Sequence, residues 1–321
     1  MISQSTSNRM KGCSIVMVIL GHILNIYLHQ NAYLSMILGT GGVAVFLILS
    51  GYGLAVSYHK NGIKNEYWEN KIRKVFIPYW IVTFLWVILT GLLKPSRSEL
   101  IIKNLFLVDY NRGIDATMWY LSFLLLWYLL FFVIFKYQYP ILIKIPLLFA
   151  FGWLFYDNPS NWFAKCAWQF SYNAYSFPVG VLLGTISSRL GEKKVNPHLL
   201  AAVKLLLMIA AVAGILLFYR AQSSRKDLGQ VLCFSVFVFV ACFSSFVGSC
   251  KPIALLLNGV CSISYILYLV EGKWFTLVSY LKLQNDLIQA VVYTLSLVAF
   301  SVLYFLFQRY WKTRRIRSSS P

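Results

Sequence analysis

The sequence predicts an all-α, polytopic transmembrane helix bundle of about ten spans, and three observations carry that expectation. Of 321 residues, 59% are hydrophobic and only 12% charged, whereas soluble domains run at about half apolar and a quarter charged. Mean hydropathy is +0.67, which is more apolar surface than one water-soluble core can enclose. The apolar residues also fall into runs near the length that crosses about 30 Å of hydrocarbon at 1.5 Å per helical residue.

Ten such runs lie near residues 11–29, 39–58, 76–93, 117–136, 140–156, 172–188, 199–219, 228–248, 253–280 and 287–308. The first follows Arg9 and Lys11, basic residues of the kind that mark a helix end at the cytoplasm. The second, GTGGVAVFLILSGYGLA, loses side chains at Gly39, Gly41, Gly42, Gly51 and Gly53, which permits close helix approach or a break. NKIRKVFIPYW leads into the third and DATMWYLSFLLLWYLL opens the fourth. Pro140, Pro146 and Pro159 bracket or interrupt the fifth, while the sixth holds Pro178 and is rich in Ser, Tyr and Gly. The ninth exceeds one crossing and has length enough to bend. The tenth runs into RYWKTRRIR, a stop-transfer anchor that also favours anionic lipid.

With a cytoplasmic N-terminus, 19 of the 29 Lys and Arg residues fall on the inner loops, as the positive-inside rule requires. An even number of spans then returns the C-terminus to the same side. The net charge of +19 is therefore a topology signal. Its spread over alternate loops argues against nucleic acid as a partner. MISQSTSN is polar and no small-x-small exit follows the first apolar run, so the first helix is expected to stay in the mature protein. The chain reads as one integral membrane domain, 1–321, with a core of about 9–308 and a basic cytoplasmic tail at 309–321. Cys13, Cys166, Cys233, Cys242, Cys250 and Cys261 show no CxxC spacing and no His cluster, so neither a metal site nor a disulfide framework is expected. The longest loops, 59–75 and 94–116, leave no room for a soluble domain.

Ionisable groups at mid-helix cost roughly 2.5–3.5 kcal/mol on insertion, so those that remain need a partner or a task. Lys11 and His22 are eleven residues apart, three helical turns plus about 20°, which puts them on one face about 16 Å apart in height. That face leads from the cytoplasmic headgroups to the bilayer interior. An imidazole there suits a general base; a neutral histidine bonded to a neighbouring helix is the alternative. Lys71, Arg73 and Lys74 ahead of Pro78 read either as positive-inside anchors or as a site for the phosphates of a charged donor. Asp115 and Trp119 open the fourth span, where an aromatic belt or sugar stacking accounts for the tryptophan. Glu271 in SISYILYLVEGKW stands two residues before Lys273, which offers neutralisation by snorkelling. Ser50 lacks a GxSxG context, so a serine hydrolase is excluded.

Taken in order, these stretches resemble acyltransferase family 3, the bacterial polytopic O-acyltransferases of surface glycans. The resemblance rests on Lys11, ten residues and then His22; on GGVAVFLILSGY; on the basic triplet before IPYW; on MWYL; and on SISYILYLVEG. It covers about residues 9–308, with 140–250 alike only in hydrophobic pattern. It implies acetyl-coenzyme A as acyl donor on the cytoplasmic side, its phosphates on the basic cluster and its pantetheine arm rising into the bundle, with no metal. It makes His22 the catalytic histidine, and Lys11, Lys71, Arg73 and Lys74 the coenzyme-binding residues. Lysine stands at 11, 71 and 74 where the family usually has arginine, and Glu271 stands where it often has histidine.

The expectation is thus a multi-pass protein of the bacterial cytoplasmic membrane that O-acetylates a surface polysaccharide or its lipid-linked precursor. Trp119 and Glu271 would lie near the acceptor, Glu271 either binding its hydroxyl or orienting His22. A transporter or flippase of a lipid-linked sugar is the alternative, although the two repeated halves common among transporters are missing.

Overall fold

A computed structural model describes residues 2–29, 31–91, 97–109, 114–158, 167–190, 196–222 and 225–318. Pro159, Cys166, Lys193 and Lys194 lie outside the described residues, as does part of the 94–116 loop. The described residues form helices α1 (Gln4–Ile26), α2 (Ala32–Asn61), α3 (Tyr67–Leu89), α4 (Ser98–Leu105), α5 (Trp119–Lys136), α6 (Ile141–Asp157), α7 (Ala167–Tyr172), α8 (Ser176–Leu190), α9 (Pro197–Ala221), α10 (Lys226–Phe246), α11 (Lys251–Ser279) and α12 (Asp286–Ser318). No strand occurs among them.

A helix stands at each of the ten predicted places. Eight are long and apolar enough to cross a bilayer: α1, α2, α3, α5, α9, α10, α11 and α12. The other two, α6 and α8, have 17 and 15 residues, shorter than a full crossing of about 20. A turn at residues 173–175 joins α8 to the short α7. The ninth run, long enough to bend, is a single helix of 29 residues.

Several ends differ from the sequence expectation for local reasons. α1 starts at Gln4, ahead of the predicted residue 11, because the Ser3 hydroxyl accepts the Thr6 backbone N–H at 3.1 Å and caps the helix. Arg9 is turned into the bundle rather than out to headgroups: it donates to the Ser244 carbonyl and to Ser5 Oγ, each at 2.8 Å. Within the 94–116 loop lies α4, docked on α3 by Tyr79 Oη donating to the Asn104 carbonyl at 2.6 Å and Trp80 Nε1 donating to the Leu105 carbonyl at 2.8 Å. α12 continues past residue 308 through the expected tail as far as Ser318.

α3 carries a π-helical turn at Ile72–Phe76, immediately before Pro78. The wider turn breaks the face that Lys71 and Lys74 would share at i, i+3 in an α-helix. Lys71 faces inward across the Tyr128 ring, with its Nζ 4.1 Å from the ring centroid, while Arg73 and Lys74 face outward.

At the centre, α1 lies between α2 and α11. A Cβ on Gly12 would strike the Leu257 backbone carbonyl of α11, so only glycine lets these helices meet so closely. An aromatic layer fills the space between α5, α6 and α8: Trp127 stacks on Phe177 with centroids 5.2 Å apart and meets Phe155 edge-on at 5.1 Å. α9 is peripheral, with most of its leucines exposed.

Candidate active site

The Gly12–Leu257 contact sets α1 and α11 side by side and parallel. Fourteen residues beyond Leu257, Glu271 meets His22, and the His22 Nδ1 hydrogen-bonds Glu271 Oε1. Glu271 is fully buried, whereas the His22 side chain keeps 31% of its surface exposed and faces a cavity. With the carboxylate as acceptor, Nδ1–H donates and the Nε2 lone pair is left as the basic position toward the cavity. Phe275 packs edge-on against the imidazole at 5.9 Å and holds the ring plane.

A second buried pair flanks the first. Lys273 Nζ contacts Asp115 Oδ2 at 2.6 Å, with both side chains about 5% exposed or less. Snorkelling of Lys273 to Glu271, considered from the sequence, does not occur. Two residues along a helix turn it by about 200°, so the two side chains leave α11 on opposite faces, one toward α1 and the other toward the start of α5. Asp115 Oδ1 accepts the Thr117 backbone N–H at 2.9 Å and its hydroxyl at 2.7 Å, which caps the turn leading into α5. Between the two pairs stands Gly272, where a Cβ would come 2.5 Å from Asp115 Oδ1.

His22 and Asp115 both line a cavity of about 720 Å³ at one end of the bundle. Its wall includes Trp119 together with Trp168, Gln169 and Asn25. Glu271 is not on that wall; it stands behind His22. At the far end of α2 and α5 lies a smaller cavity of about 120 Å³, with Lys71 in its lining. Lys11 is half-buried on the α11 side of α1, beside Cys261. It therefore shares its helix face with His22 without lining either of these two cavities. Arg73 pairs with Glu69 at 2.8 Å on the exposed face of α3, and Lys74 is exposed.

The two cavities share no lining residue. Along α2 they are separated by the segment from Val43 to Leu54, about 16 Å of helix. Tyrosines occupy the seam between them: Tyr120 meets Tyr268 at 5.3 Å and Phe46 at 6.4 Å. Tyr265 Oη donates to the Val75 carbonyl at 2.6 Å and ties α11 to α3. The imidazole and Lys71 thus line separate cavities, and Lys11, on the His22 face of α1, lines neither.

Sequence reasoning did not single out Thr117, Tyr268, Trp168 or Gln169 for this site. Trp168 and Gln169 fall between the fifth and sixth predicted runs, outside every predicted span. Tyr268 and Thr117 gain their place only through a mutual contact, Tyr268 Oη to the Thr117 carbonyl. Among the described residues no group of three or more His, Cys, Asp or Glu side chains could hold a metal ion.

Fold and site together define a multi-pass membrane protein with a carboxylate-supported histidine at the wall of a cavity in the helix bundle. The chain belongs to acyltransferase family 3: the family model described as an acyltransferase domain matches residues 7–306, nearly the entire sequence, so the protein is a membrane acyltransferase. No curated protein and no solved structure matches it. The family match gives no support to the transporter reading.

Proposed function

We propose that this acyltransferase moves an acetyl group from acetyl-coenzyme A to a hydroxyl of a cell-surface polysaccharide or its lipid-linked precursor, in the cytoplasmic membrane of a bacterium. The observation that carries the proposal is the His22–Glu271 pair, an imidazole exposed on one edge to a cavity and backed by a fully buried carboxylate on the other.

In this mechanism the acceptor oxygen attacks the thioester carbonyl carbon while its proton passes to His22 Nε2. The C–S bond then breaks, and the imidazolium returns the proton to the departing thiolate, giving an ester and a free thiol. Glu271 orients the ring and offsets the charge on the imidazolium, the division of labour of a general base and its orienting partner. A 720 Å³ cavity is within the range of pockets that enclose small molecules. Trp119, on its wall, offers an apolar ring face for a sugar. Lys11, Lys71, Arg73 and Lys74 make the opposite end of the bundle positive and suit the anionic end of the donor. For the donor arm to reach His22 from there, the tyrosines between the cavities must swing aside. With both termini cytoplasmic, the basic end faces the cytosol and the His22 cavity opens toward the other side.

The test is transfer of radiolabelled acetyl from acetyl-coenzyme A to surface glycan. Wild-type membranes should label the glycan and His22→Ala membranes should not. Undiminished labelling by the variant would remove His22 from the mechanism. Mass spectrometry of glycan from cells with and without the protein identifies the acylated sugar.

A further inference from the structure

Glu271 is held to His22 by one carboxylate oxygen, Oε1. The other, Oε2, is buried and has no hydrogen-bond partner; among the described residues it is the only buried carboxylate oxygen left so. An oxygen of this kind is costly, because burial strips away the water that would donate to it and no protein group takes that place. The Tyr27 and Tyr293 hydroxyls are buried and unpartnered in the same way.

These three orphaned oxygens belong to one cluster. Phe275 stands four residues beyond Glu271, on the same face of α11, and meets the His22 ring edge-on. Tyr293 of α12 stacks on Phe275, with centroids 4.3 Å and planes 6° apart. Tyr27, just past the end of α1, touches both rings, 5.7 Å from Phe275 and 5.6 Å from Tyr293. The Glu271 charge acts on the Tyr293 phenol, and Tyr27 acts on it as well, so the hydroxyls are near the carboxylate without bonding it. Polar groups held that way in a buried site are commonly joined through a water molecule. A buried water makes about three hydrogen bonds, one for each oxygen here. Phe275 is on the wall of the His22 cavity, whereas Tyr27, Tyr293 and Glu271 are not. The cluster therefore stands behind the wall and acts on the reaction only through Glu271.

We propose that Tyr293 and Tyr27 are positioning residues that together hold one water against Glu271 Oε2. The Tyr293 O–H donates to the water, and the water donates to Oε2 and to Tyr27 Oη; every group keeps its own proton. With both oxygens engaged, rotation of the carboxylate is opposed and Oε1 stays in line with His22 Nδ1. The imidazole then keeps Nε2 toward the cavity. The water site stands on the packing alone; the positioning role rests on the function of His22 proposed above.

A density map of the full-length protein in nanodiscs, at a resolution that shows ordered solvent, tests the site. One water should lie within hydrogen-bond distance of Glu271 Oε2, Tyr293 Oη and Tyr27 Oη, and the Tyr27→Phe, Tyr293→Phe double variant should lose it. Each replacement removes one oxygen and keeps the ring stack, so the fold is retained. In acyl-transfer assays Tyr293→Phe should lower kcat about tenfold, part of the 10²–10⁴ that a general base contributes, with both KM values within about twofold. A packing defect would act whether or not the carboxylate is present. An effect carried by Glu271 should instead shrink below about twofold when Tyr293→Phe is made in a Glu271→Gln background. Tyr280→Phe, an exposed phenol at the end of α11, should leave kcat unchanged. A site without water in the map, or Tyr293→Phe as active as wild type while His22→Ala is inactive, overturns the proposal and spares the proposed function. An equal fall in kcat with and without Glu271 overturns the positioning role. Full transfer by His22→Ala would remove the proposed function, and the positioning role with it.

Discussion

At the scale of single residues, the site is organised by what each carboxylate touches. Glu271 accepts from His22 Nδ1 and is fully buried, so Glu271→Gln keeps the shape and replaces an acceptor by an amide that can donate. The amide would favour the tautomer with its proton on Nε2, the wrong side for a base. Turnover should fall by roughly 10²- to 10⁴-fold, the range of general acid–base contributions, with the acceptor KM little changed in steady-state assays. A rise in acceptor KM with unchanged turnover would instead make Glu271 an acceptor-binding group. The Asp115–Lys273 pair is read by stability. Asp115→Asn or Lys273→Met alone leaves one buried charge uncompensated and should cost about 3–5 kcal/mol, whereas the double replacement by apolar residues recovers most of it. Thermal unfolding of the three variants in one detergent decides the point, and a double variant as unstable as the sum of the singles refutes the pairing.

At the scale of elements, two local features decide which side chains converge. Gly272 lets the turn before α5 approach α11; Gly272→Ala puts a Cβ 2.5 Å from Asp115 Oδ1. The resulting overpacking should destabilise by about 1–3 kcal/mol and lower acyl transfer, measured on the same preparation. The π turn of α3 divides the basic triplet, with Lys71 facing in over Tyr128 and Lys74 facing out. Lys71→Met is therefore expected to raise the donor KM about tenfold or more at any ionic strength. Lys74→Met should raise it only a few-fold, an effect that fades as salt screens exposed charge. Equal effects of the two substitutions in donor titrations at low and high salt would contradict this division.

At the scale of the molecule, two cavities stand at opposite ends of α2 and α5, with a tyrosine-filled seam between them. This arrangement fits a reaction whose two substrates arrive from opposite faces of a membrane. Reporter fusions that work only in the cytosol should be active at both the N-terminus and the C-terminus. Probes placed at Lys64 and at His29 should label from opposite sides. Labelling of both positions from one side would overturn the two-sided arrangement. The helices themselves were legible beforehand, since helix length and apolarity are local properties and hydropathy finds them directly. The two weak runs, interrupted by Pro146 and Pro178, are the ones that fold into helices too short for a full crossing.

By itself the sequence determined that the chain is a helical membrane protein and that two ionisable groups, His22 and Glu271, stand within apolar spans where a charge is expensive. Each of these is visible residue by residue, because insertion cost depends on one side chain and its immediate neighbours. Only the tertiary structure decided that Glu271 belongs to His22 and Lys273 to Asp115, and that the basic triplet is split. Those partnerships join positions as much as 249 residues apart. They follow from where helices touch, at contacts such as Gly12 on Leu257, and no periodicity within one helix encodes the face of another.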